Sequence, residues 1–235
     1  MLRAQRESAI TTSIEERTWL VVPLYNEAAV VRSVIEEART TFPKIVCIDD
    51  GSTDASAEEA YAGGAVVVRH PINLGQGAAL QTGLDYAMRD SQADYFVTFD
   101  SDGQHQTSDA LAMVQRLDTE PLDIVVGSRF LDDRTDVGAV KQIVLKTAIQ
   151  FERLSTGVKL TDAHNGLRAL NRTAAGAIRI TQNRMAHASE IVQKMGRANL
   201  RYAEQPVHIV YTDYSRAKGQ SVWNLVNILN DLFLK

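Results

Sequence analysis

An α/β fold, with a mostly parallel sheet covered by helices on both faces, is what this sequence predicts. Three observations predict it. Short apolar runs of four to seven residues recur through residues 18–130 and read as strands buried on both sides. Between them lie stretches whose apolar residues fall at helical spacing, and that regular alternation is the pattern of a parallel sheet. Each strand also ends in a polar, glycine-containing cluster, which places those clusters together on one rim, where ligands of such sheets lie.

Taken in order, WLVVPL (19–24) is the first buried strand, and Val30, Val31, Val34, Ile35 and Ala38 mark a helix over 28–39. Asn26, just before it, is a candidate N-cap. Residues 44–48 form the next strand and run into Asp49-Asp50-Gly51-Ser52-Thr53-Asp54, where Thr53 or Asp54 can cap a helix over 55–62 that Gly63-Gly64 stops. AVVVRH (65–70) is the third strand. Asn73 to Gly77 then open a helix over 77–88, with backbone donors suited to a phosphate or other anion. The fourth strand, 95–99, is apolar and aromatic and ends at Asp100 and Asp102. An amphipathic helix over 108–117 and a short strand over 123–126 lead to Gly127-Ser128-Arg129. Beyond residue 131 the alternation loosens. A long helix over 137–154, a strand near 166–169, helices over 173–180 and 187–195, one or two strands within 201–211 broken at Pro206, and a closing amphipathic helix over 221–234 are expected. No internal repeat or linker divides the chain, so a flexible segment over 1–17 should precede a single domain over 18–235.

The chain has 235 residues, enough for one full core, and a net charge of −4 with a pI near 5.8, which gives nucleic acid no broad basic surface. The single cysteine, Cys47, sits inside the apolar run IVCI and reads as core in a reducing compartment. The first residues carry Arg3, Arg6, Glu7, Glu15, Glu16 and Arg17 without an apolar stretch, and no run is long enough to span a bilayer. A cytoplasmic chain, peripheral at most on the inner face of the cell membrane, is expected.

The chemistry centres on DYFVTFDSDGQH (94–105). In extended backbone residues i and i+2 share a face, so Asp100 and Asp102 can approach one hard cation, while Gly103 allows a sharp turn that brings Gln104 and His105 within reach. Such an oxygen-rich set suits Mg²⁺ or Mn²⁺, completed by substrate phosphate. The GQGAAL string is no dinucleotide fingerprint, because it lacks the third glycine and follows the third strand.

Taken together, VVPLYNE (21–27), IDDGSTD (48–54), NLGQGAALQTGLDYA (73–87), the Asp-x-Asp of FDSDGQH, GSRF (127–130), TDAHNGLRALNR (161–172) and YTDYSRAKGQS (211–221) resemble the family 2 glycosyltransferases, which are inverting, nucleotide-sugar-dependent enzymes of GT-A fold. DSDGQH and YSRAKG are most similar to the branch holding dolichol-phosphate mannose synthase and bacterial enzymes of polyprenyl-linked and surface-polysaccharide synthesis. Ser101 departs from the alanine frequent there, and another small residue should fit. The resemblance implies a nucleotide-sugar lobe over 18–130, an acceptor lobe over 131–220 and the amphipathic helix over 221–235. It also implies that Pro23, Tyr25, Glu27, Ile48 and Asp50 hold the base and ribose. Asp100 and Ser101 would lie by the ribose or sugar, and Asp100, Asp102 and Gln104 would hold the metal bridging the donor phosphates. Arg129 and Lys218 would face phosphate, and His105 would support the carboxylates.

A sugar hydroxyl as acceptor would need a general base, for which Asp162 and Glu190 are the candidates. A polyprenyl phosphate is already anionic and needs cations instead, such as Arg129, Arg168 and Lys218. Two other classes compete. A sugar-1-phosphate nucleotidyltransferase would carry a Gly-rich basic loop where Tyr25-Asn26-Glu27 stands, and a non-catalytic nucleotide-sugar-binding protein would be expected to lose the metal carboxylates that are present. With a lipid acceptor, the closing helix, whose Val222, Leu225, Val226, Leu229, Leu232 and Phe233 share a face, could lie in the membrane interface or against a membrane-embedded partner, or else pack on its own domain.

Overall fold

The computed structural model describes residues 12–132, 157–183 and 186–210. In chain order its elements are β1 (Thr18–Leu24), α1 (Val31–Arg39), β2 (Lys44–Asp49), α2 (Ser56–Ala62), β3 (Val66–Arg69), α3 (Gln76–Ala87), β4 (Tyr95–Thr98), α4 (Thr107–Thr119), β5 (Ile124–Ser128), β6 (Arg168–Asn171), α5 (Arg172–Ala177), α6 (His187–Arg197) and β7 (Tyr202–Pro206). Among the described residues the strands form one seven-stranded sheet of order β3-β2-β1-β4-β6-β5-β7. The pairs β1 with β2, β1 with β4, β2 with β3 and β5 with β7 are parallel. β6 runs antiparallel to both β4 and β5.

The inner strands β1, β2 and β4 are largely apolar because each faces two helical layers. Successive side chains of a strand point to opposite faces. In β1, Leu20, Val22 and Leu24 pack with Val31 and Ile35 of α1 and Met113 of α4, while Val21 packs with Leu80 and Leu84 of α3 and Ile191 of α6. The same split divides Ile45 and Cys47 from Val46 and Ile48 in β2, and Val97 from Phe96 in β4. Cys47 is free and buried, and burial pushes its thiol well up, as a packing residue requires. Both layers draw on residues before and after position 131.

The first five strands and four helices fall within a few residues of their expected spans. The later strand lies at Arg168–Asn171 rather than 166–169, and Tyr202–Pro206 is a single strand. Residues 13–17 were assigned to a flexible segment, but they form a turn in which the Arg17 amide donates to the Ser13 and Ile14 carbonyls. The Arg17 guanidinium pairs with Asp94 at 2.7 Å and Asp118 at 3.0 Å, and that anchorage removes the freedom expected there. The expected helices over 137–154 and 221–234 lie outside the described residues. Among the described residues no helix is long and apolar enough to cross a membrane.

Candidate active site

The sheet order makes β1 the switch point. From β1 the chain steps outward to β2 and β3 on one side, then returns to place β4 on the other. The crevice beyond the carboxyl ends of β1 and β4 is where such a sheet receives ligands. A cavity of about 510 Å³ lies there, lined by Pro23, Leu24, Tyr25, Glu27, Asp50, Asn73, Gly75, Gln76, Ala79, Asp100, Ser101 and Asp102. It thus gathers residues from the ends of β1, β2 and β4 and from the start of α3.

The loops at one end are stapled to each other. Asn26 does not cap α1, which starts at Val31; it adopts a φ of 53° and bridges two loops instead. Its amide donates to Ser52 Oγ at 3.0 Å, and its Oδ1 accepts from the Thr53 amide at 2.9 Å. The Glu27 amide donates to Ser56 Oγ at 2.7 Å, and Asp54 accepts from the Ala28 and Ser56 amides. Tyr25, 44% exposed, is thereby held at the cavity mouth by its neighbours.

Asp50 takes up donors that the sequence pattern suggested for phosphate. Its Oδ1 accepts from the Leu74 amide at 2.9 Å and its Oδ2 from the Gly75 amide at 2.7 Å, so the turn before α3 cradles a carboxylate of the protein itself. Two residues on, the Gly77 amide goes to the Asn183 carbonyl at 2.9 Å. Three of the donors expected to face an anion, the Leu74, Gly75 and Gly77 amides, are thus taken within the protein. Gly77 allows this approach, because a Cβ there would overlap the Gln182 carbonyl oxygen.

At the other end, Asp100 Oδ2 is bonded to His105 Nε2 at 2.9 Å, and Oδ1 accepts from Gln76 Nε2 at 3.3 Å. Gly166 backs directly onto this carboxylate, and Thr98 Oγ1 donates to the Gly166 carbonyl at 2.6 Å. Burial pushes the Asp100 carboxyl up, but the charge and hydrogen bond of His105, with the charges of Arg168 and His187, outweigh it and hold it below the usual range. Asp102 is in the opposite state. Burial and the adjacent Asp100 charge raise its carboxyl, with a smaller contribution from Glu27, against the Gln104 amide at 3.0 Å and His105. Two carboxylates that repel each other beside an open cavity, with oxygen as their only donor atoms, fit a hard divalent cation. Among the described residues no three His, Cys, Asp or Glu side chains form a complete cage, so such a cation would need ligands from elsewhere.

Several expected site residues are elsewhere. Ile48 is buried in the helix-facing core because its position in β2 points it away from the rim. Gln104 does not line the cavity; its amide and carbonyl serve Asp102 and the Val210 amide. Arg129 points at Asp162, with Nε 2.6 Å and Nη2 2.7 Å from the carboxylate oxygens and its amide 3.1 Å away. Asp162 is 1% exposed and committed to that pair, so its carboxylate is not a free base. Arg168 is 2% exposed and donates to the Ala163 carbonyl at 3.0 Å, and its charge bears on Asp100. Lys218 lies outside the described residues.

Glu190, the other candidate base, is likewise engaged. Its carboxylate is buried and accepts from the Thr181 and Gln182 amides and the Thr181 hydroxyl, with Lys194 Nζ at 2.9 Å. Burial raises this carboxyl, but the Thr181 hydroxyl, Lys194 and the two amides prevail and bring it down to about 2 from 4.5. A folded-state value below the unfolded one adds stability above about pH 4.5 that is lost as pH falls toward about 2. Glu190→Gln should therefore cost about 2–3 kcal/mol at pH 7, with the gap to the wild type shrinking across that window in urea unfolding at stepped pH. A gap independent of pH would show that the loop is held by packing alone.

The sequence reading passed over His70, which contacts Asp50, as well as Gln76 and His187, which bear on Asp100. His70 does sit directly after a strand and Gln76 at the start of α3, where the other polar clusters were sought.

A parallel-dominated sheet of this order, with paired aspartates in the crevice at its switch point, is the GT-A architecture of nucleotide-sugar glycosyltransferases. The sequence model described as glycosyl transferase family 2 matches residues 19–179, and the chain belongs to that family. It is 30% identical to an uncharacterized protein of Methanocaldococcus jannaschii over 98% of this chain and 97% of that one. It is 28% identical to the UDP-N-acetylglucosamine–dolichyl-phosphate N-acetylglucosaminyltransferase of Methanococcus voltae, over 87% of this chain and 90% of that one. Among solved structures, glucosyl-3-phosphoglycerate synthase from Mycobacterium tuberculosis, in complex with Mn²⁺, UDP and glucosyl-3-phosphoglycerate, superposes with a TM-score of 0.67 at 20% identity, covering 91% of this chain and 78% of that one.

Proposed function

We propose that this enzyme moves a sugar from a nucleoside diphosphate sugar to a polyprenyl phosphate, inverting the anomeric centre, with Mg²⁺ or Mn²⁺ at the donor diphosphate. The observation that carries the donor half is one cavity lined both by Tyr25 and Asp50 and by Asp100 and Asp102. An aromatic ring and a carboxylate suit a base and its N–H groups, and paired carboxylates suit a cation bearing phosphates. Bound there, the cation would offset charge developing on the departing diphosphate. Asp100, turned by His105 and Gln76, and Asp102, turned by the Gln104 amide, would hold it. The Methanococcus relative, whose name gives a nucleotide sugar and dolichyl phosphate, and the Mn²⁺ and UDP of the structural neighbour support both halves.

The Methanococcus relative supports a phosphate acceptor over a hydroxyl, and both candidate bases, like the candidate cation Arg129, are already engaged. Asp162 is paired to Arg129 and Glu190 is buried in hydrogen bonds, whereas a phosphate oxygen is anionic without any base. The acceptor would bring the protein to the cytoplasmic face of a membrane as a peripheral enzyme, alone or through a membrane-embedded partner.

The test is incubation of the purified protein with Mn²⁺ and UDP-, GDP- or dTDP-sugars, with and without polyprenyl phosphate, and identification of the product by mass and anomeric NMR. An α-linked donor should give a β-linked lipid phosphate. Product on a sugar hydroxyl alone would overturn the acceptor, and an α-linked product would overturn inversion. Tyr25→Ala should weaken nucleotide binding by about 1–3 kcal/mol through lost stacking while the melting temperature stays put, since the ring is largely exposed. Unchanged affinity by calorimetry would remove Tyr25 from the base site.

A further inference from the structure

The Asp50 carboxylate is held from three directions, and one of them is a side chain. His70, the residue after β3, places Nδ1 2.7 Å from Asp50 Oδ1 and Nε2 3.0 Å from Thr82 Oγ1 on α3. The imidazole is nearly enclosed, its side chain 9% exposed against 4% for Asp50. A carboxylate only accepts, so Nδ1 carries the proton toward Asp50, and in the neutral ring Nε2 accepts the Thr82 hydroxyl hydrogen. The ring's tautomer and orientation are thus set from behind by α3.

The count of lone pairs gives this arrangement its use. Among the described residues, Oδ1 accepts from His70 and Leu74 and is filled, whereas Oδ2 accepts from Gly75 alone. An ionised carboxylate offers about four acceptor positions, so one remains, on Oδ2, for a ligand in the cavity that Asp50 lines. Without His70 a second acceptor position would open, on Oδ1, and the carboxylate could rock about its last bond, held by the Leu74 and Gly75 amides.

We propose that His70, backed by Thr82, is a positioning residue that fixes Asp50 with a single open acceptor for an N–H of the donor's nucleobase. This rests on the nucleotide-sugar reading above. A base with a ring N–H flanked by carbonyl groups, as in uracil, or an N–H edge, as in guanine, can donate to that oxygen, whereas the ring nitrogen at the corresponding edge of cytosine or adenine is itself an acceptor.

Calorimetry with Mn²⁺ and UDP, GDP, CDP, ADP or inorganic pyrophosphate separates the possibilities, because pyrophosphate carries the phosphates without a base. The wild type should bind UDP or GDP; if it binds no nucleotide, the donor-site reading itself fails and this inference with it. His70→Phe keeps the ring and removes both nitrogens, and should weaken the preferred nucleotide about tenfold, from one lost orienting hydrogen bond, with pyrophosphate affinity unchanged. His70→Asn, whose amide N–H can occupy the place of Nδ1–H, should recover most of that loss. Thr82→Val should weaken the nucleotide about threefold and keeps the test open if the phenylalanine variant does not fold. Equal weakening of nucleotide and pyrophosphate, or wild-type nucleotide affinity in the variants, would overturn the role given to His70.

Discussion

Asp102→Ala is expected to lower metal-dependent sugar transfer by at least about a hundredfold while leaving the melting temperature unchanged or slightly raised. The asymmetry follows from what the side chain does in the fold. Its carboxylate accepts the Gln104 amide, and its carboxyl is raised by burial and by Asp100, with Glu27 adding to them. Removing it costs the core little and relieves repulsion. A cation shared with the donor diphosphate would lose one of its two nearest protein carboxylates, so the metal concentration needed for half-maximal rate should rise along with the fall in turnover. Wild-type activity should vanish in chelator and return with added Mn²⁺. Full turnover in chelator would show that Asp102 serves something other than a metal.

Asp162→Ala should be among the most destabilising single changes in the chain, on the order of 3–5 kcal/mol, because it leaves the Arg129 guanidinium without its buried partner. The two side chains are 1% and 13% exposed and meet through the Nε and Nη2 donors of Arg129. The urea midpoint should fall accordingly. Replacing both, Arg129→Met with Asp162→Leu, should recover most of the lost stability, since an apolar pair avoids the desolvation of two ions. Activity separates two uses of the pair. If Arg129 also meets acceptor phosphate, the stable double variant remains inactive; if the pair only shapes the loop, its activity returns. A midpoint unmoved by Asp162→Ala would mean that the loop does not depend on the pair.

The local pattern revealed most where a residue's neighbours in sequence are also its neighbours in space. Val21, Ile45 and Phe96 announce two-sided strands by composition alone, and Asp100 and Asp102 reach the cavity because a strand end put them there. Long-range partners were not legible. Nothing near Leu74 or Gly75 signals that their amides are taken by a carboxylate from the end of β2. Arg129 after β5 and Asp162 in the approach to β6 each read as free charges until the sheet joins them. The reversal at β6 misled in a further way. An antiparallel strand brings its beginning to the rim where parallel strands bring their ends, so Gly166 sits against Asp100 although it precedes a strand. Glu190 failed for another reason. Helical periodicity says which face is apolar, but it does not show that a loop folds back to claim an acid on the other face.

Gly77 also bears on how far this sequence can be recombined with its relatives. The start of α3 leans on the backbone at Gln182 and Asn183, with no room for a side chain between. Segments taken from before and after residue 131 of two different homologues would therefore meet at a backbone-to-backbone seam, where a bulkier residue at 77 or a loop one residue longer at 182 breaks the fit. Chimeras that exchange the later half should keep glycine at 77 and inherit the Thr181–Gln182 stretch as one block together with α6, since Glu190 on that helix holds the loop that Gly77 touches. A crossover placed inside that block separates the loop from the residue that shapes it, even when each parent folds well alone.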